Sequence, residues 1–325
     1  MMLVTDRFAR LDIPPADALA LDDVIRLYEC LWPDRPQTLN PPRHAARLTA
    51  VLDHVDALVL DGYGVINVGD GPIEGIDEFL HAATTRGKPV VVLTNGASFP
   101  ADRTWQKYQD WGLPLERRQI LSSRDILEAE LAVLMTENPT MRFGCFGRIT
   151  EPLAGDRLLV YGRDEEFWTD CDAFAFLGAL DWQDADQAAF EAAMLARPRP
   201  LHVANPDVAA PQAVGRFSAE PGYWTARMIR HLARHGIAAD VTWYGKPNRM
   251  AFSMAQDVMA EIAGRRIEPG RLAMVGDSLH TDVLGGAAAG LQTVLVTHHG
   301  LFRGQEVGPY FDQCAFRPDW VVDTL

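Results

Sequence analysis

ALVLDGYGVINVGDGPIEG, residues 57–75, opens on four apolar residues, meets an aspartate at Asp61 and then turns through a run of glycines. An apolar run of this length is a buried strand. An aspartate at its carboxyl end stands where parallel sheets present functional groups. Tyr63 follows two residues later, where a second carboxylate would serve acid–base chemistry.

The same texture continues outward. Residues 72–86 predict a helix. Residues 88–96 read KPVVVLTNG, a valine-rich strand ending in a polar turn. Residues 102–111 predict another helix, and Ser122 with Asp125 forms a helix-capping pattern. Strands alternating with helices predict an α/β fold, a doubly wound parallel sheet covered on both faces in the Rossmann-like manner. Between 126 and 239 strand-like pieces (141–146, 173–180, 201–204) mix with helices near 184–195 and 222–235, and turn signals are dense at 197–200, 205–207 and 220–222. This reads as an inserted α/β domain. From Val241 the first pattern resumes: a short strand into Gly245-Lys246-Pro247, a helix from Asn248, the strand 271–275, a helix over 280–289 and the strand 292–296. The expected organisation is an N-terminal helical extension (1–50), a core in two parts (51–125 and 240–325) and the inserted domain (126–239). In the extension, residues 17–32 predict a helix that Pro33, Pro36, Pro41 and Pro42 interrupt. It reads as a packing arm or an oligomer contact, which keeps a homodimer among the partners.

The chain has 325 residues, 48% hydrophobic and 23% charged, enough for a sizeable core and about two domains. A net charge of −14 argues against non-specific nucleic-acid binding. No apolar run approaches the about 20 residues of a membrane span, so no membrane partner is expected. The start, MMLVTDRFARLDIPP, lacks the order of a signal peptide, and the four cysteines form no CxxC pair or zinc spacing. The cytoplasm is the expected compartment.

Each loop at a carboxyl end of the predicted strands holds a polar group: Asp61, Thr94-Asn95-Gly96, Lys246, and Asp277 with Asp282. Singly, each is a common turn or cap residue. Together they suit attack by a carboxylate on phosphorus. The Asp61 carboxylate would be the nucleophile. Lys246 and a Mg²⁺ held by Asp61 and Asp277 would offset the negative charge of a phosphoryl group. The Thr94 hydroxyl and the N–H groups of the turn after it would hold phosphoryl oxygens. The expected partner is a small phosphorylated metabolite.

LVLDGYGVI around Asp61, VVVLTNGAS around Thr94, YGKPN around Lys246, and GDSLHTDVLGGAAAGLQTVLV from Gly276 resemble the four motifs of the haloacid dehalogenase (HAD) superfamily. The insert lies between the second and third, the type-2 cap position of the NagD-like, class IIA phosphatases, and ANPDVAAP from Ala204 is similar to that group's cap segment. The resemblance covers about 51–325. It implies that Asp61 is nucleophile and metal ligand, Asp277 the main ligand of the fourth motif and Asp282 a neighbouring carboxylate of the metal site. It also makes the main-chain carbonyl of Tyr63 a further ligand, with Thr94 and Lys246 holding the phosphoryl group.

Tyr63 departs from that pattern. Most phosphatases of the superfamily carry an aspartate there, which protonates the leaving alkoxide and then deprotonates water. A phenol is a poor base near neutrality, and losing a general acid/base typically costs ~10²–10⁴-fold in rate. The Asp-x-Tyr-Gly pattern also resembles the dehalogenase branch, where halide leaves without a proton. That branch uses no metal and lacks the acidic fourth motif, and two carboxylates without a metal would crowd charge around an anionic substrate. Two further alternatives are a non-catalytic phospholigand-binding protein and an enzyme for acyl or aryl phosphates, whose leaving groups need little protonation.

Other residues read as structural. His298-His299 points two ways, His280 starts a helix, the glycines of 285–290 serve close packing, and Trp182, Trp224 and Trp243 are core. Asp207 reads as a turn former after Pro206. Asp70 and Asn67 are the nearest candidates for a surrogate acid.

Overall fold

The computed structural model describes residues 4–34, 40–147 and 157–325. Pro36, one of the expected helix breakers, lies outside them.

The fold is α/β, a Rossmann-like parallel-sheet core with an inserted α/β cap. Seven parallel strands form the core sheet in the order Arg43–Arg47, Trp320–Thr324, Gln292–Val296, Leu272–Gly276, Ala57–Leu60, Val90–Thr94 and Ile120–Ser122. The central strands are mostly apolar because both faces are covered. Leu58 and Leu60 point into one core cluster while Ala57 and Val59 point into the other, and Val90 and Val92 alternate with Val91 and Leu93 in the same way. From Ala57–Leu60 the chain steps outward to Val90–Thr94 and Ile120–Ser122. It then leaves for the cap and returns on the other side at Leu272–Gly276. That reversal opens a crevice at the carboxyl ends of the central strands.

The cap carries a second parallel sheet, in the order Val241–Trp243, Leu201–Val203, Ala173–Phe176, Phe143–Phe146 and Leu158–Val160, and an antiparallel hairpin, Ala209–Ala213 with Arg216–Ala219. Its interior is aromatic: Phe146 packs against Phe174, Phe176, Trp182 and Phe190.

Three assignments differ from expectation. Val241–Trp243 pairs with Leu201–Val203 in the cap sheet, not in the core. The extension is not wholly helical: Arg43–Arg47 is the edge strand of the core sheet, hidden in sequence by its charged, exposed residues. The helix expected over 280–289 begins as a π-turn, Leu279–Val283, in which the Val283 N–H reaches the Ser278 carbonyl, before the α-helix Leu284–Ala288. Such widened turns gather at functional sites.

The N-terminal segment packs on both units. Its helix Leu21–Leu31 starts at Ala20, whose N–H donates to Asp23. Tyr28 stacks on His280 of the core, and its hydroxyl accepts from the Val208 N–H of the cap. Tyr223 of the cap donates to the Pro14 carbonyl, Arg234 to the Ala9 carbonyl, and Tyr310 of the core to Asp22. No described helix is long and apolar enough to cross a membrane.

Candidate active site

Asp61 leaves the strand Ala57–Leu60 with its main-chain N–H still bonded to the Val275 carbonyl, 2.8 Å away, so sheet pairing fixes it beside the end of Leu272–Gly276. Asp277 follows that strand directly. Lys246 enters from the cap side, after Val241–Trp243, and its Nζ lies 2.7 Å from Asp61 Oδ1 and 2.6 Å from Asp282 Oδ1. Asp61, Lys246, Asp277 and Asp282 are all buried. The other Asp282 oxygen accepts from the Ser278 N–H at 3.1 Å, and Asp277 Oδ2 accepts from the Leu301 N–H at 2.8 Å. Asp282 is therefore engaged at both oxygens and orients the lysine.

Two glycines make room for these carboxylates. A Cβ at Gly64 would lie 2.4 Å from Asp277 Oδ2, and its φ of 83° suits only glycine at little cost. A Cβ at Gly276 would lie 2.0 Å from the Asp282 carboxyl carbon.

The electrostatics are unbalanced. Three carboxylates surround one ammonium. Burial raises the Asp61 carboxyl, the Lys246 charge draws it back, and Asp282 raises it again. Burial and the charges of Asp61 and Asp282 raise Asp277 further. Burial alone would lower Lys246, but Asp282 and Asp61 more than offset that and hold it charged. With all three carboxyls ionised the cluster would carry two surplus negative charges, which the raised Asp61 and Asp277 carboxyls reflect and which a divalent cation would match. Asp61, Asp277 and Asp282 each offer an oxygen within 4.8 Å of the others, an all-oxygen donor set that fits a hard ion.

The second motif sits alongside. The Thr94 hydroxyl accepts from the Gly96 N–H at 3.2 Å and lies 3.3 Å from where a Cβ on Gly62 would stand. Gly96 is exposed, but the Asn95 side chain is fully committed to protein. Its oxygen accepts from the Lys246 N–H at 2.7 Å, and its amide donates to the Lys246 carbonyl and to Asp207. Asn95 thus couples core, lysine loop and cap.

Tyr63 directs its hydroxyl to the carbonyl of Pro211 in the cap hairpin. Burial raises its phenol further from neutrality. Asp70 is exposed, and Asn67 is occupied by Gly69; neither lines the cavity above Asp61. That cavity measures about 40 Å³ and is lined by Tyr28, Asp61, Tyr63, Asp207, Asp277 and Ser278, among others. It has room for a few waters and is far smaller than an ordinary ligand site. A larger depression of about 360 Å³, lined by Asp56, Lys88 and Pro89, lies at the opposite end of the strands, away from these groups.

Two lining residues escaped the sequence reading. Asp207 lies in the ANPDVAAP segment, but after Pro206 an aspartate has an ordinary explanation as a turn former. Tyr28 lies in a helix with no chemical motif, and nothing in its neighbourhood along the chain marks it.

Two family models match the chain: a haloacid dehalogenase-like hydrolase model over residues 58–165 and a HAD-hydrolase-like model over 243–325. The chain belongs to the HAD-like hydrolases. Within them it is of the NagD-like, class IIA kind, with the cap inserted between the second and third motifs. It is 27% identical to human glycerol-3-phosphate phosphatase, over 86% of this chain and 92% of that protein. It is 26% identical to the ribonucleotide monophosphatase NagD of Escherichia coli K12, over 82% of this chain and 96% of that one. A possible sugar phosphatase of the HAD superfamily from Cytophaga hutchinsonii shares the fold, with a TM-score of 0.73 at 20% identity, covering 87% of this chain and 98% of that chain.

Proposed function

We propose that this HAD-like hydrolase is a Mg²⁺-dependent phosphohydrolase acting on a small phosphorylated metabolite through an aspartyl-phosphate on Asp61. The observation that carries the reading is the cluster of three buried carboxylates around Lys246. Asp61, the main-chain carbonyl of Tyr63 and Asp277 would hold the ion, with Asp282 beside them. Bound there, Mg²⁺ would supply neutralisation of the phosphoryl oxygens.

The remaining roles belong to the chain. A carboxylate oxygen of Asp61 attacks phosphorus, and the bond from phosphorus to the leaving oxygen breaks. Water then cleaves the aspartyl-phosphate. Lys246, held charged by Asp282, faces the phosphoryl group together with the Thr94 hydroxyl and the main chain at Asn95 and Gly96. Segment 126–239, extended by the strand at 241–243, acts as the cap over a core of 51–125 and the remainder of 240–325. The narrow cavity agrees with a cap that must part from the core to admit substrate. The relatives are named for glycerol 3-phosphate and ribonucleotides, which supports a small phosphate ester. The four cysteines are free thiols, in keeping with the cytoplasm.

The test is p-nitrophenyl phosphate hydrolysis with Mg²⁺ and with EDTA, beside Asp61→Asn. Turnover that requires both the ion and Asp61 supports the reading. Turnover no higher than that of Asp61→Asn overturns it, and metal-free halide release from a 2-haloacid would put the dehalogenase alternative in its place.

A further inference from the structure

In the position two residues after Asp61 this chain has a phenol already bonded to a cap carbonyl. The proton needed by a poor leaving group must come from elsewhere. Among the described residues lining the cavity above Asp61, the carboxyls are Asp61, Asp277 and Asp207. The first two belong to the nucleophile and metal cluster. Asp207 does not.

Asp207 is built into place. The cap loop 204–208 carries it over the crevice. Asn95 Nδ2 donates to its Oδ1 at 2.8 Å, and the Asn205 side chain accepts from its main-chain N–H at 2.9 Å. The Tyr28 hydroxyl, itself fixed by the Val208 N–H, lines the same cavity beside it. The same Asn95 grips the Lys246 backbone, so Asp207 is keyed to the loop that holds the nucleophile's lysine. The side chain keeps partial exposure, and the cavity is what it lines.

We propose that Asp207 is the catalytic acid and base of this site, acting from the cap in place of the carboxylate that Tyr63 displaces. The inference rests on the phosphohydrolase reading above. In the first half-reaction Asp61 Oδ bonds to phosphorus and the P–O bond to the leaving group breaks. The electron pair stays on the leaving oxygen, which takes the Asp207 proton. In the second, Asp207 carboxylate takes a proton from water as the water oxygen bonds to phosphorus. The P–O bond to Asp61 breaks, giving phosphate and restoring both carboxyl groups. The environment suits both directions. Burial raises the Asp207 carboxyl to about 6, with Lys246 and the Asn95 bond opposing, Asp282 adding to the rise and Tyr28 opposing it. Asp61 and Glu220 are the other charged groups that feel it. A group near neutrality both gives and takes protons efficiently.

The experiment compares Asp207→Asn, which keeps the shape and can still accept from Asn95, with wild type on phenyl phosphate and p-nitrophenyl phosphate. Phenolate is the poorer leaving group. The expected result is a fall in kcat/KM of ~10²-fold or more on phenyl phosphate and of less than ~10-fold on p-nitrophenyl phosphate. On p-nitrophenyl phosphate kcat itself falls, with a burst of nitrophenol as the aspartyl-phosphate accumulates. Equal losses on both esters, or none on phenyl phosphate, overturn the proposal while Asp61-dependent turnover still upholds the phosphohydrolase. Wild type without Asp61-dependent turnover of either ester overturns the phosphohydrolase reading itself. Should Asp207→Asn fail to fold, the wild-type rate ratio of phenyl to p-nitrophenyl phosphate decides. It must fall as pH rises through the Asp207 titration, and a ratio flat from pH 5 to 8 overturns the proposal.

Discussion

The hydroxyl of Tyr63 donates to the main-chain carbonyl of Pro211, joining the loop after the nucleophile's strand to the cap hairpin. A side chain that sequence comparison marks as a missing acid is therefore a contact between core and cap. Tyr63→Phe removes one hydrogen bond, a net ~0.5–1.5 kcal/mol. The expected outcome is a KM for p-nitrophenyl phosphate raised by up to roughly tenfold with kcat little changed. A loss confined to kcat would assign the phenol to the chemistry.

Lys246 is buried between Asp61 and Asp282. Lys246→Met leaves two buried carboxylates without their counter-charge, and breaking such a pair typically costs ~3–5 kcal/mol. Urea unfolding of the metal-free protein should show a loss of that order, and p-nitrophenyl phosphate turnover should vanish. Adding Asp282→Leu should recover part of the stability and none of the activity. If the single variant unfolds like wild type, the lysine is not the counter-charge described.

Surplus negative charge at Asp61, Asp277 and Asp282 should make the fold sensitive to divalent ions. Mg²⁺ should raise the Tm in step with concentration, by linkage to the folded state alone. Asp277→Asn should flatten that response. An unchanged response in Asp277→Asn would move the ion away from this carboxylate.

Glu220, at the start of the helix Pro221–Arg234, accepts from Ser218 and Asn205. Burial, then the charge of Asp207, pushes its carboxyl up to about 8. The native state thus keeps a proton that the unfolded chain releases near the ordinary glutamate value, so this group's stabilisation is present at low pH and declines as pH rises from about 4.5 to 8. Glu220→Gln should gain stability relative to wild type across that window, on the order of 1 kcal/mol at pH 8. Thermal unfolding of the two proteins at pH 5 and pH 8 measures it. A difference that does not grow with pH contradicts the assignment.

The central strands were legible because a strand covered on both faces is a run of apolar residues, as in Ala57–Leu60 and the VVVL of Val90–Thr94. The groups at their carboxyl ends were legible because topology alone brings those ends together. Arg43–Arg47 was not, since an edge strand with exposed charges resembles a loop. Val241–Trp243 was misplaced because three residues next to a motif carry no signal of which sheet they join. Tyr28 and Asp207 were missed for a common reason. Each owes its environment to partners far along the chain, Val208 and His280 for the one, Asn95 for the other, and no local periodicity records such a meeting.

The N-terminal segment, finally, touches cap and core at once, through Pro14 and Ala9 on one side and Asp22 and the Tyr28–His280 stack on the other. Parting the two units is then a three-body problem. The segment must ride with one and peel from the other, or stretch between them. Substitutions in a stretch with no catalytic group can thereby set the frequency of opening, and selection on turnover can act at residues more than thirty positions from the nearest motif.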